Sequence, residues 1–499
     1  MRLGFLACAF LLPSAVTAQV AFEDHSTALP PHVYSGGWEH FVGGGVAVFD
    51  CNRDGLPEIF AAGGTAPAQL FLNRGGMAFE PGDLPEMTGV TGAYALDIDA
   101  DGWRDLFVLR VGPNRVLRGG PDCAFTEATE DFGIDPGNAW STAFTAWWSE
   151  GDARPTLFVG NYVDRSDPEG PFEACDTHQI LIPRAEDGYD SAPFGPGYCT
   201  LSALAARDAR GRMTLRLSND RHYYVRGGYE QMFDLTENRF LGAEDGWPQV
   251  SLWGMGIASR DLNGDGRDEV MLTSMGDQLL QIAQEDGTYA AAPFAQGTYA
   301  QRPHLGDDGR PSTGWHAEFG DVDNDGRADL FLAKGNVDQM PGNAMKDPNN
   351  LLMQQSDGRF TEVSIAAGVA TTARSRGAAM ADLDGDGRLD LVVVNRRAPM
   401  ELYRNVTPET GNWLAIDPRD RASVFAVGAE VTVITDGARQ VQQRVVGGGH
   451  AGGGALPLHF GLGEARDAKI EIRDASGVLR VSRKVAANQT LRIDLSPSQ

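Results

Sequence analysis

The sequence predicts an all-β protein in which a seven-bladed β-propeller is followed by a small C-terminal β-sandwich. An acidic turn followed by strand-forming residues recurs along most of the chain, and the last part alternates apolar and polar residues as half-buried strands do. The 62 glycines among 499 residues imply many tight turns. A chain of this length exceeds one ordinary hydrophobic core, unless the core grows around a ring of repeats.

The repeat is phased by the first acidic residue of each turn. Five intact turns begin at Asp50, Asp97, Asp261, Asp321 and Asp382, and two degenerate copies place Trp148 and Ala206 at the same point. Seven units therefore follow one another at intervals of 47 to 61 residues. This spacing suits a four-stranded propeller blade, although an open solenoid of β units would show the same periodicity.

Ring closure is predicted from the ends of the repeat array. Residues 20–24 resemble the aromatic-led outer strand that follows most units, whereas the seventh unit ends at residues 401–404 without one. We expect the strand near Phe22 to pair into the blade that contains residues 391–394, because closure in this way leaves no exposed sheet edge.

The N-terminus predicts export. Residues 1–18 have the charged start, apolar run and small cleavage-site residues of a signal peptide, with cleavage near Ala18. The predicted domains are this signal peptide, a propeller over 19–408 and a β domain over 409–499, with no membrane span and a secreted or periplasmic location.

Four cysteines remain after that cleavage. Cys175 and Cys199 lie in one turn-rich stretch and are the favoured disulfide. Cys51 and Cys123 pair only by elimination, and two buried free thiols are the alternative.

The acidic turns predict metal sites. Oxygen donors stand at positions 1, 3, 5 and 9 of each turn, glycine at position 6, and a backbone carbonyl is available at position 7. Hard oxygen ligands without sulfur or imidazole favour Ca²⁺, about five ions per chain. The predicted ligands are Asp50, Asn52, Asp54, Leu56 and Glu58; Asp97, Asp99, Asp101, Trp103 and Asp105; Asp261, Asn263, Asp265, Arg267 and Glu269; Asp321, Asp323, Asp325, Arg327 and Asp329; and Asp382, Asp384, Asp386, Arg388 and Asp390.

Two comparisons sharpen the metal prediction. An EF-hand would place a glutamate at position 12, where these loops carry strand residues, so the loops join two β-strands. The degenerate copies lack the ligand pattern: the Trp148 copy retains Glu150 and Asp152 but lacks the glycine, and the Ala206 copy has Arg210 at position 5. Neither should bind calcium, and Asp208→Ala is expected to change nothing measurable.

The turns resemble the FG-GAP or VCBS repeats of integrin-type propellers. From Asn412 the chain is similar to the ASPIC/UnbV domain of the cartilage acidic protein family, through Gly428-Ala429, the glycines at 447–449 and the segment 459–463. One departure is the segment 473–477, where the family usually has tryptophan and proline before the Ser-Gly turn. The resemblance implies an exported calcium-binding protein of adhesive or interacting type.

Charge and motifs limit the function classes. A formal charge of −26 argues against binding nucleic acid or an anionic membrane surface. An extracellular or envelope protein or glycan is the expected partner, and no catalytic motif is recognised. The alternative is a propeller enzyme with a channel site at His316 and Glu318, near which Trp253, Met255 and Arg376 approach their loops. His450, among glycines, is interpreted as a solvated turn in preference to a binding loop.

Overall fold

The computed structural model describes residues 19–149, 151–167, 174–220, 228–298, 309–420 and 426–496. The predicted signal peptide over 1–18 and Glu150 of the first degenerate turn lie outside the described residues.

The first part of the chain forms seven successive antiparallel sheets, each built on four strands. A short strand, β1 (Phe22–Asp24), precedes them. Blade 1 comprises β2 (Val46–Phe49), β3 (Glu58–Ala61), β4 (Gln69–Asn73) and β5 (Phe79–Gly82), and blade 2 comprises β6 (Val90–Leu96), β7 (Asp105–Arg110), β8 (Arg115–Gly119) and β9 (Phe125–Glu127). Blade 3 comprises β10 (Ser141–Trp147), β11 (Thr156–Asn161), β12 (His178–Pro183) and β13 (Tyr189–Phe194), and blade 4 comprises β14 (Thr200–Arg207), β15 (Met213–Asn219), β16 (Gln231–Asp234) and β17 (Arg239–Phe240). Blade 5 comprises β18 (Gly254–Arg260), β19 (Glu269–Ser274), β20 (Leu279–Ala283) and β21 (Tyr289–Ala291), and blade 6 comprises β22 (Gly314–Gly320), β23 (Asp329–Lys334), β24 (Asn350–Gln354) and β25 (Phe360–Glu362). Blade 7 comprises β26 (Ser375–Ala381), β27 (Asp390–Asn395) and β28 (Glu401–Asn405), with β1 as its outer strand.

The ring closes as the sequence predicts. Strand β1 pairs antiparallel with β28, with Phe22 opposite Asn405, and β28 in turn pairs with β27. The innermost strand of every blade contacts that of the next, and β26 of blade 7 contacts β2 of blade 1. There the amide of Gly377 donates to the carbonyl of Gly44 at 3.1 Å. The array is therefore a ring and not an open solenoid.

The propeller core lies between adjacent blades. Aromatic and branched side chains on both faces of each sheet pack against the neighbouring sheet, as in any face-to-face sheet packing. Phe107 of blade 2 stacks on Phe144 of blade 3 at 4.5 Å between ring centroids, and Phe194 of blade 3 meets Phe233 of blade 4 at 4.9 Å. This burial on both faces explains why the repeats contain continuous apolar runs.

The C-terminal domain is a two-sheet β structure. Its strands are β29 (Asn412–Arg419), β30 (Glu430–Ile434), β31 (Arg439–Gln443), β33 (Leu458–Gly463), β34 (Asp467–Arg473), β35 (Leu479–Ala486) and β36 (Gln489–Asp494), and the short β32 (Gly452–Gly453) lies apart from its sheets. One sheet has the order β33-β29-β36 and the other β31-β30-β34-β35. Leu414, Val431, Phe460 and Ile470 are among the residues of the core between them.

A glycine-rich stretch of this domain enters the propeller. We call residues 446–455 the glycine segment. It contains β32, which pairs parallel with β6 and adds a fifth strand to the sheet of blade 2. The amides of Gly448, Gly449 and Ala455 donate to inner-strand carbonyls of blades 4, 5 and 1. The glycine segment therefore fills the centre of the ring, which the sequence did not predict.

Helical structure is minor. The described residues contain one short α-helix, α1 (Ser364–Ala367), and 3₁₀ turns at Ser26–Ala28, Trp38–His40, Pro121–Cys123, Ala243–Asp245 and Phe294–Gln296. Among the described residues, no helix has the length and apolarity needed to cross a bilayer.

Both disulfides form. Cys175 pairs with Cys199, as favoured from the sequence, and Cys51 pairs with Cys123. The second bond links the acidic turn of blade 1 to the outer part of blade 2, which the alternative of free thiols would not do.

Candidate functional site

The five acidic turns all join the innermost strand of a blade to its second strand. Their position-6 glycines, Gly55, Gly102, Gly266, Gly326 and Gly387, have φ angles of +91°, +93°, +86°, +93° and +86°. Position 4 is also left-handed, at Arg53, Ala100, Gly264, Asn324 and Gly385. Glycine at position 6 is thus a backbone requirement, and the same requirement at position 4 was not recognised in the sequence because only two of its five residues are glycine.

The loop carboxylates are organised by backbone amides in the same way in every turn. The position-1 carboxylate accepts from the position-6 amide, as in Gly326 N to Asp321 Oδ2 at 2.7 Å and Gly387 N to Asp382 Oδ2 at 2.9 Å. The position-9 carboxylate accepts from the position-2 amide, as in Leu383 N to Asp390 Oδ2 at 2.9 Å. These bonds fix the position of one oxygen of each carboxylate and leave the other oxygen available.

The position-5 carboxylate accepts from the position-7 amide in all five turns. The donors are Leu56, Trp103, Arg267, Arg327 and Arg388, at 2.7 to 3.0 Å. In the turns of blades 1 and 5, the side-chain oxygens of Asn52 and Asn263 accept from the amides of Asp54 and Asp265. The twenty-five predicted residues therefore lie in five separate loops with one hydrogen-bond scheme.

Three turns bring carboxylates within the span of one calcium ion. One oxygen from each of Asp97, Asp99 and Asp101 lies within 4.8 Å of the others, and the same holds for Asp321, Asp323 and Asp325 and for Asp382, Asp384 and Asp390. Oxygen ligands at roughly 2.3 to 2.6 Å from a common ion are at most about 5 Å apart. The spacing therefore fits Ca²⁺.

The glutamates at position 9 each have one buried carboxylate oxygen that is available to bind a cation. Within the described part of the chain, the buried oxygens Glu58 Oε1 and Glu269 Oε1 have no hydrogen-bond partner, while the second oxygen of each accepts from a position-2 amide. Burial, with the neighbouring aspartates adding to it, raises the pKa of Glu58 to about 7 and that of Glu269 to about 8. A buried carboxylate oxygen without a partner is costly, and a cation in the loop would satisfy it.

Burial also raises the pKa values of carboxyl groups in the turns whose position-9 residue is aspartate. Burial raises the pKa of Asp390 to about 8 and that of Asp382 to about 6, and it raises the pKa values of Asp105 and Asp329 well above their usual range. These groups resist carrying charge unless a counter-ion is present.

Arginines offset part of the carboxylate charge in the acidic turns. Arg404 contacts Asp384 at 2.7 Å, Arg118 contacts Asp99 at 3.1 Å, and Arg492 of the C-terminal domain contacts Asp50 at 3.1 Å. Arg267, Arg327 and Arg388 pair with the position-5 aspartates of their own loops. The repulsion among the loop carboxylates is therefore reduced.

The degenerate turn of blade 4 has a protein cation in place of a ligand set. Asp208 is 6% exposed and contacts Arg212 at 2.6 Å. Its Oδ1 also accepts from the amides of Arg210 and Arg212. These contacts argue against the expectation that Asp208→Ala would be silent, because the carboxylate is the buried partner of an arginine.

The C-terminal domain sits on the side of the ring that carries the acidic turns. His459 Nε2 lies 2.7 Å from Asn324 Oδ1, and the amide of Gly463 donates to the Asn324 carbonyl at 2.8 Å. Arg439 donates to the Gly264 carbonyl at 2.9 Å, and Trp413 packs where a side chain on Gly387 would stand. Together with Arg492 on Asp50, these contacts touch the turns of blades 1, 5, 6 and 7.

The channel residues of the alternative enzyme hypothesis do lie together. His316 Nε2 is 3.4 Å from Glu318 Oε2, and Glu318 Oε2 also accepts from the amide of Met380 at 3.0 Å. The amide of His450 donates to His316 Nδ1 at 3.1 Å. His316 is therefore held by the glycine segment on one side and by Glu318 on the other.

His450 is not a solvated turn. It is fully buried at the centre of the ring, where its Nδ1 lies 3.2 Å from the Met255 carbonyl and its Nε2 accepts from the Gly43 amide at 3.2 Å. Arg376 does not reach the His316 pair: its guanidinium lies 4.0 Å from the Trp315 ring centroid and donates to backbone carbonyls, including those of Phe41 and Val337. Burial lowers the pKa of His450 to about 3.

Comparison with known families matches both parts of the molecule. The FG-GAP-like repeat family matches residues 50–108, 261–332 and 321–393, and the ASPIC and UnbV family matches residues 420–499. These matches omit the degenerate blades 3 and 4. The chain therefore belongs to the FG-GAP-repeat β-propeller proteins that carry a C-terminal ASPIC/UnbV domain.

Among characterised proteins, the chain is similar to cartilage acidic protein 1. It is 24% identical to the Mus musculus protein over 488 residues, covering 89% of this chain and 72% of that protein. It is 25% identical to the Homo sapiens protein over 490 residues, covering 89% and 70%. A crystal structure of BBS1N in complex with ARL6DN superposes with a TM-score of 0.47 at 10% identity, covering 79% of this chain and 99% of that chain.

Proposed function

We propose that this protein is an exported calcium-binding interaction module whose propeller binds an extracellular or envelope protein or glycan. The two disulfides and the similarity to cartilage acidic protein 1 support an oxidising, extracellular setting. The observation that carries the calcium assignment is the repeated loop geometry, with buried carboxylates that have raised pKa values and two glutamate oxygens without partners.

The residues that would hold the ions are the loop oxygens already described. The turns of blades 1, 2, 5, 6 and 7 each supply carboxylate or amide oxygen at positions 1, 3, 5 and 9, and the position-7 carbonyl is a further candidate ligand. Bound Ca²⁺ would supply charge neutralisation and cross-linking of the two strands that each loop joins. Its role in this proposal is structural, because it holds the loops on which the C-terminal domain rests.

The calcium assignment is tested by counting ions. We expect equilibrium dialysis with elemental analysis to find about five Ca²⁺ per chain. Asp384→Ala removes a central ligand from the blade 7 loop and should lower the count by one. Asp357→Ala, at an exposed turn of blade 6 outside the calcium loops, is the matched control and should leave it unchanged. A count near zero for the wild-type protein would mean that the turns are only polar hairpins.

The partner assignment is tested separately. Purified protein is screened against glycans, matrix proteins and cell envelopes, with calcium and with EDTA. A calcium-dependent partner on this panel supports the proposal, whereas a turnover activity that disappears in a folded His316→Ala, Glu318→Ala double variant would favour the enzyme alternative.

A further inference from the structure

A cavity of about 720 Å³ lies between the propeller and the C-terminal domain. Its wall is formed by the innermost strands β18, β22 and β26, and the facing side is formed by the glycine segment and by β31. A volume of this size is within the range of pockets that bind small molecules.

The cavity stays open because small residues line it from both sides. Gly447, Gly448 and Gly449 bring backbone but no side chain, and Ala258 and Ala379 face it from blades 5 and 7. Protein interiors are otherwise packed closely, so a space of this size with both polar and apolar walls can hold solvent or a ligand.

Arg260 is a guanidinium donor on the cavity wall. It is the last residue of β18, and within the part of the chain that the structure describes no group accepts a hydrogen bond from its guanidinium. Asp268, which also lines the cavity, accepts from Ser259 Oγ at 2.9 Å, and its charge, like those of Asp261 and Asp321, attracts Arg260. A partly buried guanidinium whose donors make no hydrogen bond to these carboxylates can still donate to an anionic oxygen group.

Glu318 is the corresponding acceptor. Its side chain is 34% exposed, and only Oε2 is engaged, by the Met380 amide and by His316. Since His316 Nδ1 accepts from the His450 amide, the proton of a neutral His316 resides on Nε2 and points to Glu318. Among the described residues Oε1 has no hydrogen-bond partner, so it can accept from a ligand donor.

We propose that this interdomain cavity binds a small hydroxylated anion, with its carboxylate or phosphate on Arg260 and a hydroxyl group donating to Glu318. Sugar acids and sugar phosphates share this chemistry. The cavity also borders the acidic turns of blades 1 and 7 through Asp50, Asp54 and Asp382, but Arg260 and Glu318 are not among the proposed calcium ligands.

The test uses the full chain with calcium present and isothermal titration calorimetry. The probes are glucuronate, glucose 6-phosphate and, as the neutral control, glucose. We expect at least one anion to bind and glucose to bind at least tenfold more weakly, and the anion that binds identifies carboxylate or phosphate as the recognised group. Arg260→Gln should lower that affinity at least tenfold, because it removes the charged donors, and Glu318→Gln should lower it less.

Two further variants distinguish the loss of a binding residue from a folding defect. Arg260→Lys keeps the charge and should retain part of the affinity, and Arg359→Gln, at an exposed turn of blade 6, should bind as the wild type does. Thermal melts confirm that each variant is folded. The proposal is overturned if neither anion binds the wild-type protein, if glucose binds equally well, or if folded Arg260→Gln retains full affinity.

Discussion

At the scale of single residues, the buried carboxylates of the blade turns have two kinds of surroundings in this propeller. In five blades the acidic turn keeps a full oxygen set around a left-handed glycine, whereas in blade 4 Arg212 supplies the positive charge to Asp208. A protein cation is permanent and an ion is exchangeable. We therefore expect blade 4 to need no metal at this turn, and we expect a response to calcium only from the intact loops.

Replacing Asp208 tests this distinction. Asp208→Ala removes the closest buried partner of Arg212, leaving the longer 4.0 Å contact to Asp234, and it leaves two backbone amides without their acceptor, so we expect a loss of about 2 kcal/mol in the free energy of unfolding. Denaturant unfolding measures the loss, and elemental analysis should show an unchanged calcium count. A variant as stable as the wild type would show that this ion pair contributes nothing.

The protonation of His450 should make the stability of the protein depend on pH. Its Nε2 accepts from the Gly43 amide and cannot be protonated without breaking that bond, and Met255, Trp315, His316 and Arg376 surround it. Because its pKa is lowered to about 3 in the folded protein, its contribution to stability is complete above pH 6.5 and is lost as the pH falls from 6.5 toward 3.

The free energy of unfolding should therefore fall by about 1.4 kcal/mol per pH unit for this group below pH 6. His178 and His459, whose pKa values are lowered in the same way by burial, add to the slope. Urea titrations between pH 7 and 5 measure it, and His450→Asn should reduce the slope by one proton. An equal slope in a folded variant would contradict this assignment.

At the scale of elements, the glycine segment decides how the two domains fit. It runs so close to the inner strands that a Cβ on Gly92 would lie 1.5 Å from the Ala451 carbonyl oxygen, and one on Gly45 would lie 1.9 Å from it. Strand glycines usually weaken a sheet, but here they allow another backbone to approach.

Gly92→Ala should therefore displace the glycine segment from the ring. We expect a lower melting temperature and faster proteolysis within residues 446–455, while Gly437→Ala, which would meet no atom within 4 Å, is the matched control. Limited proteolysis followed by mass spectrometry locates the cuts. Identical cleavage patterns in the two variants would mean that the segment tolerates the clash.

At the scale of the whole molecule, calcium and domain docking are expected to be coupled. The C-terminal domain rests on four of the five intact turns, so disorder in the loops would loosen the domain contact as well as the blades. Each blade packs only on its neighbours, and a loosened blade weakens the next one.

Removing calcium with a chelator should both lower the free energy of unfolding and expand the molecule. At millimolar calcium and ordinary exported-site affinity, each ion contributes on the order of 1 kcal/mol, so five sites sum to about 5 kcal/mol. Because the loop arginines reduce the repulsion among the carboxylates after calcium is removed, the loss in the free energy of unfolding should not exceed this sum. Calorimetry with and without EDTA measures the stability, and small-angle scattering measures the expansion. An unchanged melting temperature in EDTA would exclude a structural role for calcium.

The sequence by itself determined the repeat number, the closure of the ring by the strand at Phe22 and the positions of the acidic turns. These features depend on local patterns: a spacing, a left-handed glycine and an apolar run each act within a few residues. Even the two disulfides were within reach, one by loop context and one by elimination.

Only the tertiary structure decided where the C-terminal domain lies and what its glycines do. A run of glycines around His450 has no local preference that distinguishes a solvated turn from a buried segment, and its place is set by backbone contacts to strands more than 100 residues away. The sequence likewise does not show that Asp208 pairs with Arg212, because this contact depends on the fold of the turn. Nor does it show that Arg260 and Glu318 line one cavity. Such long-range juxtapositions leave no periodic signal, because they arise from packing and not from chain-local geometry.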